Sequence, residues 1–332
     1  MFSISRILQA MDGVVDVQNY LDIILRTGTG SSVTTTTPSP LNLQSNGGLI
    51  LTKQYNGANA WSLVDTVRGV ASDLVPSTTA AATSQTTGVT SVSSTGYTTG
   101  ALTKRNGSGL LFVDYVMRQA PGFLQIINRT ESGFVQSVPH NLGIKPGFIL
   151  AKSLTLAHNW CAWHMRSDTG DNFSQSNGFS TNSSASPRYV AYDQVTTTDF
   201  SNEIYGWDGT TQHIAYNGGN VVYYVFGHDP SPTGQIQCGV YKGNGSVTGP
   251  NVNIGWPPRL LLIKRRTAGG NWVVIDTARG FTNANDHVLL LNYPNTATSV
   301  NWADPTATGF QIMSTDNDVN VLDSVYLYVA FR

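Results

Sequence analysis

One spacing of residues occurs three times in this chain. A lysine ends an apolar run, a tryptophan follows eight positions later, and an aspartate or histidine follows four positions after that. The three copies are Lys53/Trp61/Asp65, Lys152/Trp160/His164 and Lys264/Trp272/Asp276. In copies one and three the aspartate is followed by Arg68 and Arg279, each three positions on. A repeat at intervals of roughly 100 residues, the size of a small domain, predicts duplicated units.

The composition indicates what kind of unit is duplicated. Charged residues make up only 12% of the chain, against a usual share of about 25%. Thr, Ser, Asn and Gly take their place beside many β-branched and aromatic residues, which is typical of short strands joined by polar turns. We therefore predict an all-β protein with three tandem β-sandwich (jelly-roll-like) domains over residues 21–120, 121–230 and 231–332.

The copies resemble one another at both ends. Each opens with an apolar strand that leads to a basic residue, namely Arg26, Arg129 and Lys242. Each closes with a run of β-branched and aromatic residues, at 110–117, 221–226 and 325–331, too short for a helix and typical of a buried central strand. A further strand is expected at 96–97, 204–205 and 309–310. The polar segments 77–99 and 170–186 are predicted to be long loops.

Residues 1–20 stand outside the repeat. Ile4, Ile7, Leu8 and Met11 follow the i, i+3, i+4, i+7 spacing of one helix face. A helix this short is unstable alone in water. We expect it to act as an anchor that docks either on the first domain of this chain or on a neighbouring subunit.

Residue patterns of common enzymes are not found in the sequence. A glycosidase needs two facing carboxylates, yet the glutamates are only Glu131 and Glu203, both in copy two. There is no nucleophile elbow, P-loop or dinucleotide fingerprint, and the histidines lack zinc-site spacing. Asp65 and Asp276 are more simply partners of Arg68 and Arg279 in a turn. We predict a non-enzymatic protein without a cofactor, and buried free thiols at its two cysteines.

Two residue types leave alternatives open. The acidic segments 168–172 and 316–320 fit solvated turns, or calcium sites built from oxygen ligands. The repeated tryptophans fit core positions on alternating strands, or platforms that stack on sugar rings. Trp207, Trp256 and Trp302, which are not repeated, are the candidates for surface binding, and Trp163 is grouped with them.

Charge and hydropathy narrow the choice of partners. The net charge is −1 and the basic residues are scattered, which argues against a nucleic-acid partner. No apolar stretch reaches the roughly 20 residues that span a bilayer, so membrane insertion is not expected. Protein or glycan partners remain.

Several motifs, in the same order along the chain, carry a resemblance to a known family. They are Gly48–Lys53, Asp65–Gly69, His140–Gly147, Tyr241–Ser246 with Gly249-Pro250, Asn271–Asp276 and Pro305–Phe310. From about Tyr20 onward the sequence resembles the tandem β-domain repeats in virion proteins of tailed bacteriophages, especially tail-fibre-like and tail-associated proteins. The resemblance implies a structural or adhesive virion protein and brings no catalytic residues.

This resemblance leads to a functional prediction. We expect a virion component of tail or fibre type that displays β-domains at the particle surface, is assembled in the host cytoplasm, and forms a homo-oligomer, a trimer by analogy with the phage context. Its partners would be other virion proteins. The alternatives are a head-fibre or capsid-decorating protein, and an adhesin that binds a host glycan. A depolymerase is disfavoured, since no acidic cluster or β-helix repeat is present.

Overall fold

A computed structural model describes most of the chain, and it confirms the all-β prediction. The described residues are 20–132, 136–165, 176–184, 188–190, 195–202, 218–282 and 286–332. Within them the helices are single turns: α1 (Leu43–Asn46), α2 (Thr103–Asn106) and a 3-10 turn at Thr277–Arg279. The helix predicted within residues 1–20, with Ile4, Ile7, Leu8 and Met11, lies outside the described residues.

The strands recur from repeat to repeat. Repeat 1 contains β1 (Leu21–Thr27), β2 (Val33–Thr36), β3 (Gly48–Gln54), β4 (Ser62–Asp65), β5 (Ser72–Asp73), β6 (Thr83–Ser84), β7 (Val89–Val92), β8 (Gly96–Thr99) and β9 (Leu111–Arg118). Repeat 2 contains β10 (Leu124–Thr130), β11 (Ser137–Pro139), β12 (Pro146–Ser153), β13 (Cys161–His164), β14 (Ser176–Phe179), β15 (Arg188–Val190), β16 (Asp199–Ser201) and β17 (Asn220–Gly227). Repeat 3 contains β18 (Ile236–Lys242), β19 (Asn251–Asn253), β20 (Leu260–Arg265), β21 (Trp272–Asp276), β22 (Asp286–Leu290), β23 (Thr298–Val300), β24 (Ala303–Thr306), β25 (Gly309–Ile312) and β26 (Val325–Phe331).

The large sheets of the three repeats share the order of four strands, and those of repeats 2 and 3 add two more strands at one edge. The strand order is β1-β9-β3-β4 in repeat 1, β10-β17-β12-β13-β14-β15 in repeat 2 and β18-β26-β20-β21-β22-β23 in repeat 3. The closing strand of each repeat thus lies between the opening strand and the strand that carries the repeated lysine. It is antiparallel to both. Strands that are far apart in sequence hold one another in place, so each repeat closes on itself.

A smaller sheet covers one face of each large sheet. The small sheets are β2-β8-β7, β11-β16 and β19-β25-β24. Each contributes a buried aromatic residue, Tyr97, Phe200 or Phe310, to an apolar cluster between the two layers. The repeats are therefore two-layer sandwiches, as the alternation of apolar and polar residues predicts.

The other face of each large sheet is buried as well. In β17, Val221 and Tyr223 point into the sandwich of repeat 2, whereas Val222 and Tyr224 belong to a second cluster shared by all three repeats. A strand buried on both faces needs apolar residues at successive positions rather than alternating ones. This explains why the closing strands are continuous apolar runs.

The shared cluster joins the three repeats. Phe123 and Phe226 of repeat 2 each lie edge-on to Phe331 of repeat 3, with ring centroids 6.1 and 5.9 Å apart. Tyr20, at the start of repeat 1, lies 5.4 Å from Phe123. The tandem repeats therefore do not pack as separate units. The repeats bury their inner faces against one another around one core.

The segment 77–99 is not the long loop that its composition predicted. It contains β6, β7 and β8, and Val89 and Tyr97 are buried at 0% and 1% exposure. Threonines fill the outward positions, where Thr34 and Thr98 share a hydrogen bond of 3.0 Å across β2 and β8. One apolar residue in two is enough for a strand whose outer face meets solvent. In the second segment, 170–186, β14 is likewise a strand.

Candidate functional site

The repeated tryptophans lie where the repeats meet. Trp61, Trp160 and Trp272 are 0%, 0% and 2% exposed, which confirms the core interpretation over the sugar-stacking one. Each indole N–H donates to a backbone carbonyl of a neighbouring repeat. The acceptors are Leu290 O at 2.8 Å for Trp61, Val75 O at 3.1 Å for Trp160 and Ser180 O at 3.1 Å for Trp272. The contacts run in one cyclic direction, from repeat 1 to 3, 2 to 1 and 3 to 2, as in an approximate threefold arrangement. We call these three contact regions the junctions.

A buried tyrosine and the repeated aspartate meet at two of the junctions. The Tyr224 hydroxyl donates to Asp65 Oδ2 at 2.7 Å between repeats 2 and 1, and Tyr115 donates to Asp276 Oδ2 at 2.6 Å between repeats 1 and 3. Burial raises the pKa of both tyrosines well above the usual value. They stay protonated and act as donors to the carboxylates.

The repeated arginine holds each aspartate from within its own repeat. Arg68 Nε lies 2.5 Å from Asp65 Oδ2, and Arg279 Nε lies 2.7 Å from Asp276 Oδ2. The other carboxylate oxygen accepts the backbone N–H of that arginine, at 2.8 and 2.9 Å. The predicted turn with an internal ion pair is confirmed. The turn also places the carboxylate within hydrogen-bond distance of a neighbouring repeat.

The third junction uses different residues at both positions. Repeat 2 has His164 where the others have aspartate, and repeat 3 has Val329 where the others have Tyr115 and Tyr224. The imidazole Nε2 lies 2.9 Å from the Tyr328 carbonyl oxygen. Burial lowers the pKa of His164 to about 4, so the ring is neutral and Nε2–H donates to that carbonyl. The two positions are matched: without a tyrosine hydroxyl, a buried carboxylate here would lack the donor that its counterparts have.

The three repeated lysines are buried inside the protein. Lys53 and Lys152 are 0% exposed and Lys264 is 1% exposed. Lys53 Nζ donates to the carbonyl oxygens of Gln54 at 2.7 Å, Gly57 at 3.0 Å and Asn59 at 2.8 Å. The ammonium thereby fixes the loop that leads to the tryptophan strand.

The other two lysines have equivalent contacts. Lys152 Nζ lies 2.8 and 3.2 Å from the carbonyls of Ser153 and Leu156, and Lys264 Nζ lies 2.6 Å from Gly270 O. Burial lowers the pKa of each repeated lysine to about 8. The sequence spacing located these lysines but did not reveal that they are buried.

A polar network inside repeat 1 was missed at the sequence level. Asp114, in the closing strand, is fully buried and accepts from Tyr97 Oη at 2.6 Å, from Thr52 Oγ1 at 2.5 Å and from the Arg26 guanidinium. Arg105, 1% exposed, donates to Thr52 Oγ1 at 2.7 Å. A lone aspartate within an apolar run is the one signal that could have indicated such a network, because a buried carboxylate needs partners.

Glu131, one of the two glutamates considered as glycosidase candidates, is bonded to side chains of its own repeat. Glu131 Oε1 accepts from the Tyr223 hydroxyl at 2.6 Å, Oε2 accepts from Asn202 Nδ2 at 3.0 Å, and Arg129 Nε lies 3.3 Å away. Glu203 lies outside the described residues. Glu131 thus plays the part in repeat 2 that Asp114 plays in repeat 1.

The tryptophans proposed for surface binding do not form a common exposed surface in the described residues. Trp256 is 1% exposed and lies in the sandwich core of repeat 3, so the prediction that it is exposed was wrong, and Trp163 is equally buried. Trp302 packs against the same core and is half-buried. Trp207 lies outside the described residues. The indole of Trp256 is buried although Trp256 is not part of the repeated spacing.

The second acidic segment closes a turn. Asp318 accepts from Asn271 through both oxygens, at 2.6 and 2.7 Å, and Asp316 Oδ1 accepts the backbone N–H of Asp318 at 2.8 Å. No group of three His, Cys, Asp or Glu side chains able to hold a metal occurs in the described part of the chain. Residues 168–172 lie outside it. Both cysteines are buried free thiols.

These observations define an all-β protein of three sandwich repeats locked together by recurring junctions. The chain belongs to the family described as a domain of unknown function, DUF7483, whose model matches residues 16–332. That single match spans all three repeats. No match to the chain was found among curated proteins. Among the described residues, no helix is long and apolar enough to cross a membrane.

Proposed function

We propose that the protein is a non-enzymatic structural component of a tailed-phage virion, of tail or fibre type, that presents its β-repeats at the particle surface. The observation that supports this most is the set of three junctions. A tryptophan of each repeat donates a hydrogen bond to the backbone of its neighbour, and a single apolar core joins all three. Such a block resists bending between its parts, which is what a particle component requires.

The ionisable groups of the repeats also favour a structural role. Asp65, Asp276, Asp114 and Glu131 each face an arginine and a tyrosine hydroxyl inside the protein. A general acid or base must reach a substrate. These carboxylates hold strands and repeats together instead.

The arrangement also bears on assembly. A chain with three like repeats around one axis presents three like outer surfaces, so a single copy can contact a threefold-symmetric set of other virion proteins. One copy of the chain could then contact a threefold-symmetric partner without forming the homotrimer expected from the phage context. Light scattering of the purified protein distinguishes a monomer from a trimer.

The decisive experiment locates the chain in purified particles. Mass spectrometry should detect it in particles after gradient purification, and cryo-electron microscopy should show a compact three-lobed density at the tail or fibre. Density on the capsid would favour the decorating alternative. Absence of the chain from purified particles would reject a virion role altogether.

A further inference from the structure

The shared core contains a cavity at the centre of the molecule. It has a volume of about 60 Å³ and is lined by residues from all three repeats. Leu51, Leu150 and Leu262 face it from equivalent positions, each two residues before the repeated lysine. The cavity therefore lies where the approximate threefold axis passes between the three large sheets.

The three equivalent leucines are less buried than their neighbours on the same inner faces. Leu49 and Leu63, their neighbours on the inner face of repeat 1, are each 4% exposed. Leu51, Leu150 and Leu262 are only partly buried although they lie on inner strands of the large sheets. All three line the cavity.

The lining determines what the cavity can hold. Its walls are leucine, methionine, valine and aromatic side chains, and the hydroxyls of Tyr115 and Tyr224 are directed away, to Asp276 and Asp65. A buried water needs two to four polar partners, so an apolar cavity stays dry and takes apolar molecules. Thr181, at the wall, is the exception to the apolar lining, and its buried hydroxyl has no hydrogen-bond partner within the described structure.

The size of the cavity limits the ligand. One water-sized group needs about 10–15 Å³ of such space, so the cavity accommodates roughly four to six non-hydrogen atoms. We propose that it is a binding site for one small saturated hydrocarbon group of that size. Filling it restores the dispersion contacts that its walls lack and stabilises the association of the three repeats.

The first test uses 1-chlorobutane as a probe on the full chain. Isothermal titration calorimetry should show saturable binding of one molecule per chain, and the melting temperature should rise with probe concentration, since the probe binds the folded state. Absence of saturable binding up to the solubility limit of the probe would overturn the proposal.

Matched variants place the binding in the cavity. Leu150→Phe and Leu262→Phe each add bulk to a different wall and should reduce the affinity for 1-chlorobutane at least tenfold. Leu322→Phe makes the same change at a residue that is 63% exposed, and should bind like the unaltered chain. Equal binding by a folded, cavity-filled variant would show that the probe sits elsewhere.

A second probe keeps the proposal falsifiable if both filled variants fail to fold. 1-Butanol has the same number of non-hydrogen atoms but carries a hydroxyl, which would be buried in an apolar lining where Thr181 is the exception. The unaltered chain should bind it about tenfold more weakly than 1-chlorobutane, or weaker still. Equal or tighter binding of 1-butanol would mean that Thr181 satisfies the hydroxyl, and would overturn the assignment to a hydrocarbon group.

Discussion

The Tyr115 hydroxyl reaches from repeat 1 into repeat 3 and donates a hydrogen bond of 2.6 Å to Asp276 Oδ2. Arg279 Nη2 lies 3.0 Å from the same hydroxyl oxygen, so the tyrosine completes a buried triad. The equivalent contact recurs once, between Tyr224 and Asp65. It is replaced by His164 and the Tyr328 carbonyl at the third junction. The repeats are thus held together by specific polar contacts as well as by the apolar core.

Removal of either tyrosine hydroxyl should weaken a junction. We expect Tyr115→Phe and Tyr224→Phe each to lower the free energy of unfolding by about 1–3 kcal/mol, because a buried carboxylate loses a donor. Urea denaturation followed by circular dichroism measures the change. Tyr293→Phe is the control, since Tyr293 is 60% exposed and should change the stability by less than about 0.5 kcal/mol. Equal effects at all three positions would contradict a structural role for the junction hydroxyls.

The strand pattern of each repeat could be predicted from the sequence, but the packing of the repeats could not. Composition and alternation correctly indicated an all-β fold and the opening and closing strands, and they left the burial of Trp61 as one of two alternatives. The closing strands 110–117 and 221–226 were correctly assigned as buried. These strands are apolar at successive positions because both of their faces are buried. The second face is buried against the other repeats. Contacts between distant residues leave no local periodicity to detect.

The repeated spacing in the sequence identified the aspartates and arginines of the junctions. It did not identify the tyrosines that bond to the aspartates from neighbouring repeats. Asp65 and Arg68 are three residues apart and form a local turn, so their pairing follows from the sequence. Tyr224 lies more than a hundred residues away, and a single tyrosine in an apolar strand looks like any core residue. His164 was noticed as a departure from the pattern. Its explanation is that Val329 occupies the position of Tyr115 and Tyr224, and this equivalence needed the structure.

The indole hydrogen bonds should contribute beyond the volume of the rings. We expect Trp61→Phe to destabilise the protein by about 1 kcal/mol more than Trp256→Phe. Both rings are buried, but Trp61 donates to Leu290 O, whereas the Trp256 N–H has no partner among the described residues. Thermal denaturation of both variants gives the comparison. A larger loss for Trp256→Phe would show that the junction bonds contribute little.

Acid should weaken the junction that contains His164. Its pKa is about 4 in the folded protein, below the ordinary value of about 6.5. Between these values the unfolded chain binds a proton that the folded chain does not, so stability falls as the pH falls from 6.5 to 4. The loss attributable to this group is at most about 3 kcal/mol. The pKa of His164 is low mainly because the imidazole is buried. Positive charge on His228 and Arg266 lowers this pKa further.

A matched pair of variants isolates this contribution from the carboxylates that titrate in the same range. His164→Gln keeps a donor for the Tyr328 carbonyl but cannot gain a proton near neutral pH. Denaturant midpoints measured from pH 7 to pH 4.5 should fall less steeply for His164→Gln than for the unaltered chain. His287→Gln alters a half-buried histidine bonded to Ser299 and serves as the control. Parallel curves for the unaltered chain and His164→Gln would exclude His164 as the acid-sensitive group.

The three repeats should unfold together rather than one after another. Their inner faces form one cluster, so loss of one repeat would expose the apolar residues of the other two. We expect a single urea transition in which tryptophan fluorescence, which reports on both the junctions and the sandwich cores, coincides with circular dichroism, which follows the strands. A junction variant such as Tyr224→Phe should shift the whole transition to lower urea concentration. Separate transitions, or a variant that moves only part of the curve, would mean that the sandwiches are independently stable despite their shared core.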